Sequence, residues 1–454
     1  MKYASYLILV VLIMIFLLIM SNIRTVKKRK LELIDSFGKI PNQKKYMFES
    51  IGSYHRYKTA SLGNYDAIDS ITWDDLDMDL IYERINSCLT SVGEEYLYDA
   101  LHSLQNNEEI LLKREKLISC LEENPDNRLK LQMNLAKAGK CNYNGLVSFI
   151  FNAEAKTLKY NFIYNILTLI PVLCIFLIFV NAQAGVLCLL LSGIINGLIY
   201  YRTKAKMERE LSAISYFSSV LNCLNKIFKT KDYEDVPFFD ELEESFVIFK
   251  SLRTKISNIL HKDFSDMAVF AEYMKIIFLT DIRNYNKAMR RILKYTDEFH
   301  ILYKCLGEID MAICVLSFRK SLPFYCCPVF RNENSIGFED FYHPLLSDPV
   351  TNSGKISNNS IITGSNASGK STFIKALALN SILAQTIHTC AAKGFNLRFS
   401  LIITSMAVRD NISTGDSYFI TEIKSLKRIL DKVKDTACTC FVDEILKGTN
   451  TIER

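Results

Sequence analysis

The feature that most constrains the fold of this chain is Ile361-Ile362-Thr363-Gly364-Ser365-Asn366-Ala367-Ser368-Gly369-Lys370-Ser371-Thr372, an apolar run that turns through a glycine-bracketed loop. The pattern G-x-x-x-x-G-K-[ST] predicts a phosphate-binding P-loop between a strand and a helix. Gly364 and Gly369 permit a backbone path that aims the N–H groups of Ser365, Asn366, Ala367 and Ser368 at phosphate oxygens. The helix starting near Lys370 adds the partial positive charge of its N-terminus. Lys370 would reach the β- and γ-phosphates of ATP, and Ser371 would take Mg²⁺, with Thr372 completing the motif. Phe373, Ile374, Leu377 and Ile382 give the following segment an apolar helical face.

A chain of 454 residues holds two or three domains, and 49% apolar residues with a positive mean hydropathy direct attention to membrane segments. Residues 4–20 form an unbroken apolar run followed by Arg24, Lys27, Lys28, Arg29 and Lys30. This order predicts an uncleaved anchor with its basic end in the cytoplasm, a cleaved signal being the other reading. A second apolar region, 162–201, is divided by Asn181-Ala182-Gln183-Ala184-Gly185, with Lys156 and Lys159 before it and Arg202, Lys204 and Lys206 after it. It reads as a transmembrane hairpin with both ends on the side of the first basic block, or else as two buried helices of a soluble core.

The 13 cysteines are scattered without a C-x-x-C pair, so they predict reduced thiols rather than a disulfide framework or a zinc site. A net charge of +6 gives little independent support for nucleic-acid binding. The expected organisation is an anchor at 1–23, a cytosolic helical core at 24–158, the hairpin at 159–202, a helical lever at 203–330 and an ATPase domain at 331–454. Between the apolar segments, Leu89, Val92, Leu97 and Leu101, and later Phe217, Leu221, Leu224 and Ile227, recur at helical spacing. Pro323, Cys326, Cys327 and Pro328 mark the linker into the last domain.

Downstream of the P-loop, Thr439-Cys440-Phe441-Val442-Asp443-Glu444 reads as a Walker B strand ending in two carboxylates. Asp443 suits Mg²⁺, and Glu444 can orient the water that attacks the γ-phosphate. Between the motifs, Gly415 and Ser417 precede a helix carrying Phe419, Ile423, Leu426, Leu430 and Val433 on one face. This helix start is either a plain N-cap or a second anion site, offered to the nucleotide of a partner subunit.

The ordered set Tyr342-His343-Pro344-Leu345-Leu346, Asn352, the P-loop, Leu383-Ala384-Gln385, the loop 405–419 and Asp443-Glu444-Ile445-Leu446-Lys447-Gly448-Thr449-Asn450-Thr451 resembles the ATPase domain of the MutS family of DNA mismatch-repair proteins. More weakly, Leu89-Thr90-Ser91-Val92-Gly93 is similar to the start of the family's helical core, and Leu306-Gly307-Glu308-Ile309-Asp310 to the end of its levers. The resemblance implies an α/β P-loop NTPase domain behind an all-α core and lever, ATP and Mg²⁺ as cofactors, and a homodimer sharing composite ATP sites. DNA enters as a partner through the resemblance alone. The chain departs from the family in its apolar anchors and in that no aromatic-x-Glu mismatch wedge can be placed in a preceding N-terminal domain. It also stops at Arg454, about ten residues after Walker B, where the family adds a further strand and a dimerisation segment, so a truncated ATPase sheet is expected. The reading is a multi-pass membrane ATPase of MutS type with its catalytic domain in the cytoplasm. The alternatives are an ABC-type transport ATPase, against which stands the lack of an L-S-G-G-Q run, and a nucleotide-binding membrane scaffold without turnover.

Overall fold

A computed structural model describes residues 2–42, 45–62, 67–141, 145–151, 158, 161–230, 232–253, 273–365, 368–406 and 418–443. The body is helical, and its centre is the crossing of Ser91–His102 over the long lever helix Thr296–Lys320. Two glycines make the crossing close. A Cβ on Gly93 would lie 2.3 Å from Oδ2 of Asp310, and one on Gly307 would lie 2.5 Å from Cγ of Tyr96. The two segments that carry the weaker resemblance are therefore packed against each other. Asp310 accepts from the backbone N–H of Leu89 and Thr90 and from the Thr90 hydroxyl (3.1, 2.8 and 2.6 Å), which fixes the start of the shorter helix. Thr90 caps that helix by accepting from the N–H of Gly93 at 2.9 Å. Burial pushes the Asp310 carboxyl above its ordinary range even though these donors stabilise the charge.

Among the described residues two small sheets adjoin the body. In the first, the order is β1 (Val329–Phe330), β4 (Gly394–Leu397), β2 (Ser335–Phe341), β3 (Asn352–Ser357), with β1 parallel to β4 and the other pairs antiparallel. In the second, β5 (Leu401–Ser405) pairs in parallel with β6 (Cys438–Val442). The P-loop helix, Lys370–Ile387, buries Leu377, Leu379, Ile382 and Leu383 in the same core as the lever helix.

Two local expectations are corrected. Residues 361–363 are not a strand: Ile361 is 92% exposed, and among the described residues no strand lies beside them to complete a backbone ladder. β-prone side chains do not make a strand without a neighbour. Further on, the helix Tyr418–Asp435 buries Glu422, Ser425 and Ile429, whereas Ile423, Leu430 and Val433 of the expected apolar face are exposed. Polar bonds decide this docking, with Ser425 Oγ donating to Ser405 Oγ at 3.0 Å and Arg428 to Asp69 at 2.5 Å.

Among the described residues two helices are long and apolar enough to cross a membrane, Phe162–Val180 and Ala182–Lys206, with mean hydropathies of 2.6 and 1.9. They form an antiparallel pair. Asn181 caps the turn by accepting from the N–H of Ala184 at 3.1 Å. The N-terminal apolar run belongs to one helix, Lys2–Ser36, which continues without a break through the basic block and past the expected boundary at residue 23. Its far end meets the body, where Leu33 is buried, the Arg128 guanidinium lies 4.0 Å from the Phe37 ring centre, and Gly38 N–H donates to Ser317 Oγ at 3.0 Å.

Candidate nucleotide site

Gly369 precedes the P-loop helix with φ +86°, a left-handed backbone that a side chain would strain, and from there the chain turns directly into Lys370. Gly364, at the other end of the loop, has Ser368 Oγ 3.0 Å from where a Cβ would stand, so the loop closes tightly on itself. The Lys370 ammonium lies across the loop and donates to the carbonyls of Gly364 and Ser365 at 2.6 and 2.9 Å. A lysine so placed needs only to exchange carbonyl oxygens for phosphate oxygens. Ser371 and Thr372 are exposed at the first turn of the helix.

Ser371 Oγ donates to Asp443 Oδ2 at 2.6 Å, although the two residues are 72 positions apart. Asp443 stands just beyond the end of β6, and its N–H donates to Ser405 O at 3.0 Å, prolonging the parallel β5–β6 ladder by one bond. The fold thus brings the hydroxyl of the P-loop and the first Walker B carboxylate into contact. Hydroxyl and carboxylate oxygens are the hard donors that suit Mg²⁺. The expected site residues Asn366, Ala367, Gly415, Ser417 and Glu444 lie outside the described residues.

The opposite end of the P-loop helix carries residues that the motif search does not reveal. Helices end with carbonyls that lack intrahelical partners and with partial negative charge. Here two arginines of the helical body supply the donors. Arg114 donates to Thr386 O at 2.6 Å, and Arg319 donates to His388 O and Thr389 Oγ1 at 2.9 Å each. Arg114, 5% exposed, is paired with the fully buried Glu308 at 2.8 Å, and Tyr96 also donates to that carboxylate at 2.7 Å. Arg319 binds both oxygens of Glu115, at 2.8 and 2.6 Å. Burial pushes the Glu115 carboxyl up, but the bonds from Arg319 and His388 outweigh it and hold the pKa at about 2. Glu115, Cys327 and His388 lie within 4.8 Å of one another, a grouping the sequence did not suggest. Arg319 occupies both carboxylate oxygens there, and its charge opposes a second cation. A sequence signal for Arg114 exists, since it shares a helix face with Leu111, Leu117, Ile118 and Leu121, where a cation has to find a buried partner.

A second grip lies under Asp443. Asp75, on the short helix Ser70–Asp75, accepts from Thr404 Oγ1 at 2.7 Å and from Met406 N–H at 2.9 Å, and Thr72 Oγ1 accepts from Thr404 N–H at 3.1 Å. β5 is therefore held from the helical body on one edge and pairs with β6 on the other.

Residues 360–454 match the family model of MutS domain V. The chain is 34% identical over 168 residues to MutS protein homolog 4 of Mus musculus, an alignment covering 35% of this chain and 17% of that protein. It is 26% identical over 181 residues to the DNA mismatch repair protein MutS of Leptospira interrogans, covering 37% and 21%, and 30% identical over 172 residues to the DNA mismatch repair protein Msh3 of Homo sapiens, covering 35% and 15%. In each case the matched part is less than a quarter of the relative's length. The chain is thus similar to MutS and its homologues, and the family match is to MutS domain V over its C-terminal residues 360–454.

Proposed function

We propose that this chain is a membrane-anchored ATPase of MutS type that binds ATP with Mg²⁺, hydrolyses it and transmits the resulting closure through its lever helix. The observation that carries the reading is the 2.6 Å contact between Ser371 and Asp443, which joins the P-loop to the Walker B strand. Gly364, Ser365, Asn366, Ala367, Ser368, Gly369 and Thr372 cradle the phosphates, Lys370 neutralises their charge, and Ser371 and Asp443 hold the metal. When bound, Mg²⁺ supplies charge neutralisation at the phosphoryl group. Glu444 positions the attacking water. Gly415 and Ser417 serve the nucleotide of a second copy in a head-to-tail homodimer. The anchor and the hairpin hold the body at the membrane, and positive-inside asymmetry at Arg24–Lys30 and Arg202–Lys206 supports placing the body and its ATPase in the cytoplasm. The expected units 1–23, 24–158, 159–202, 203–330 and 331–454 remain the working division of the chain. The relatives named as mismatch repair proteins make DNA the ligand to test first, with the bilayer as the second target of the motion.

The test uses the full chain in detergent or vesicles. Lys370→Ala is expected to weaken ATP binding, whereas Glu444→Gln is expected to bind ATP and fail to cleave it. Equal weakening of binding by both changes would overturn these roles.

A further inference from the structure

Residues 273–277 are helical, 278–279 turn, and the helix Thr280–Lys294 then leads through Tyr295 into the lever helix. The turn is seated on the apolar hairpin: Leu279, with φ +49° and no exposed surface, clusters with Tyr200 and Ile282, and Ile276, Tyr164 and Leu167 pack around them. We propose that this turn is a third membrane-contacting element, lodged among acyl chains of the leaflet on the basic side of the hairpin. The proposal rests on the membrane reading of the hairpin.

Two observations independent of apolar exposure carry it. The first is the fate of the backbone at the turn, where the preceding helix ends and leaves its last carbonyls without helical partners. Asn196 Nδ2 donates to Ile277 O at 2.7 Å and to Leu167 O at 3.0 Å, and Thr168 Oγ1 donates to Phe278 O at 3.1 Å. Both donors are buried polar residues inside the two apolar helices. In hydrocarbon an unpaired carbonyl costs several kcal/mol, so irregular backbone is tolerated there only when protein groups satisfy it.

The second observation is depth. At 1.5 Å per residue, Thr168 lies about 9 Å inside Phe162 and Asn196 about 9 Å inside Arg202, so the two helices agree on the level of the turn. That is roughly a third of a hydrocarbon core about 30 Å thick. Groups nearer the boundary fit an interface. Tyr200 donates to Asp281 at 2.9 Å and accepts from Lys204 at 3.1 Å, two residues inside Arg202 by sequence. Arg202, Lys204 and Lys206 cluster at that boundary, a basic group that suits anionic headgroups. Tyr273 is 61% exposed and Met274 36%, so this side of the segment offers apolar surface to lipid.

The experiment reconstitutes the full chain into vesicles containing lipids brominated on the acyl chain and reads tryptophan quenching. The native Trp73, buried in the body, gives the baseline. Leu173→Trp reports the lipid-facing hairpin and Phe278→Trp the turn. Quenching of Phe278→Trp roughly twofold above baseline, strongest with bromine near the headgroup end, is the expected result, with Leu173→Trp quenched most by bromine near the methyl end. Quenching of Leu173→Trp with Phe278→Trp at baseline would overturn the proposal while leaving the hairpin in the membrane. Baseline values for both would overturn the membrane reading and the proposal together. Adding Asn196→Leu to Phe278→Trp is expected to reduce the quenching at the turn, and an unchanged value would show that the capped carbonyls do not hold it there.

Discussion

The lever helix ends in two joints of opposite chemistry. Where it meets the P-loop helix, the contacts are ion pairs of buried guanidiniums: Arg114 with the buried Glu308, and Arg319 with the half-buried Glu115, both guanidiniums also serving carbonyls at the helix end. At the far end, beyond Tyr295, the joint to the hairpin relies mainly on neutral donors, Asn196 and Thr168 on two carbonyls. Replacing one member of a buried ion pair leaves the other charge without compensation, whereas a lost neutral bond costs far less. The joint at the P-loop helix is therefore stiff and intolerant of change, and the hairpin joint is adaptable. Strain applied at the P-loop helix should reach the hairpin end with the helical body moving as a unit.

The largest effect that sharpens this contrast is expected from Arg114→Met, which strands Glu308 at 0% exposure. A loss of about 3–5 kcal/mol is expected from denaturant midpoints. The double change Arg114→Met with Glu308→Leu should recover much of it. A loss no larger than that of a neutral bond would remove the distinction between the joints.

Next is a pH effect at the joint between the body and β5. His102 stacks on Trp73 at 3.5 Å, and burial, followed by the neighbouring His55, lowers its pKa from 6.5 to about 3. The folded state holds it neutral, while the unfolded chain takes up a proton below pH 6.5, so stability falls as pH drops through the window from 6.5 to 3. Each pH unit in that window costs up to about 1.4 kcal/mol, or about 2 kcal/mol at pH 5. Unfolding followed by Trp73 emission measures it, and His102→Asn should flatten the slope. A smaller change is expected from Asn196→Leu at the hairpin joint, about 1 kcal/mol in the same assay, because a turn that has lost this cap can shift toward the headgroups, where water takes over the freed carbonyl. The smallest is Lys434→Ala, whose partner Asp431 is exposed like the lysine itself, so no measurable shift is expected.

What could be read in the sequence follows the range of the physics involved. The P-loop is local chemistry in which glycine spacing, one lysine and one hydroxyl specify the backbone path, so Gly364, Gly369, Lys370 and Ser371 are visible without coordinates. Asp443 is visible because it ends an apolar run, but its contact with Ser371 depends on β6 pairing with β5. The exposure of Ile361 and of the Ile423–Leu430–Val433 stripe was not legible, because apolar periodicity states which residues could be covered and not which neighbour covers them. Likewise Gly93 and Gly307 look like ordinary helical residues until the crossing against Asp310 and Tyr96 is seen.

The most direct test of the nucleotide site is the Mg²⁺ dependence of ATP binding by the full chain with Asp443→Asn and Ser371→Ala. The wild-type chain is expected to bind ATP more tightly when Mg²⁺ is added. Asp443→Asn should keep the metal-free affinity set by Lys370 and lose most of that gain, with Ser371→Ala in between. A full Mg²⁺ gain retained in Asp443→Asn would contradict the pairing of Ser371 and Asp443 as the metal-holding residues.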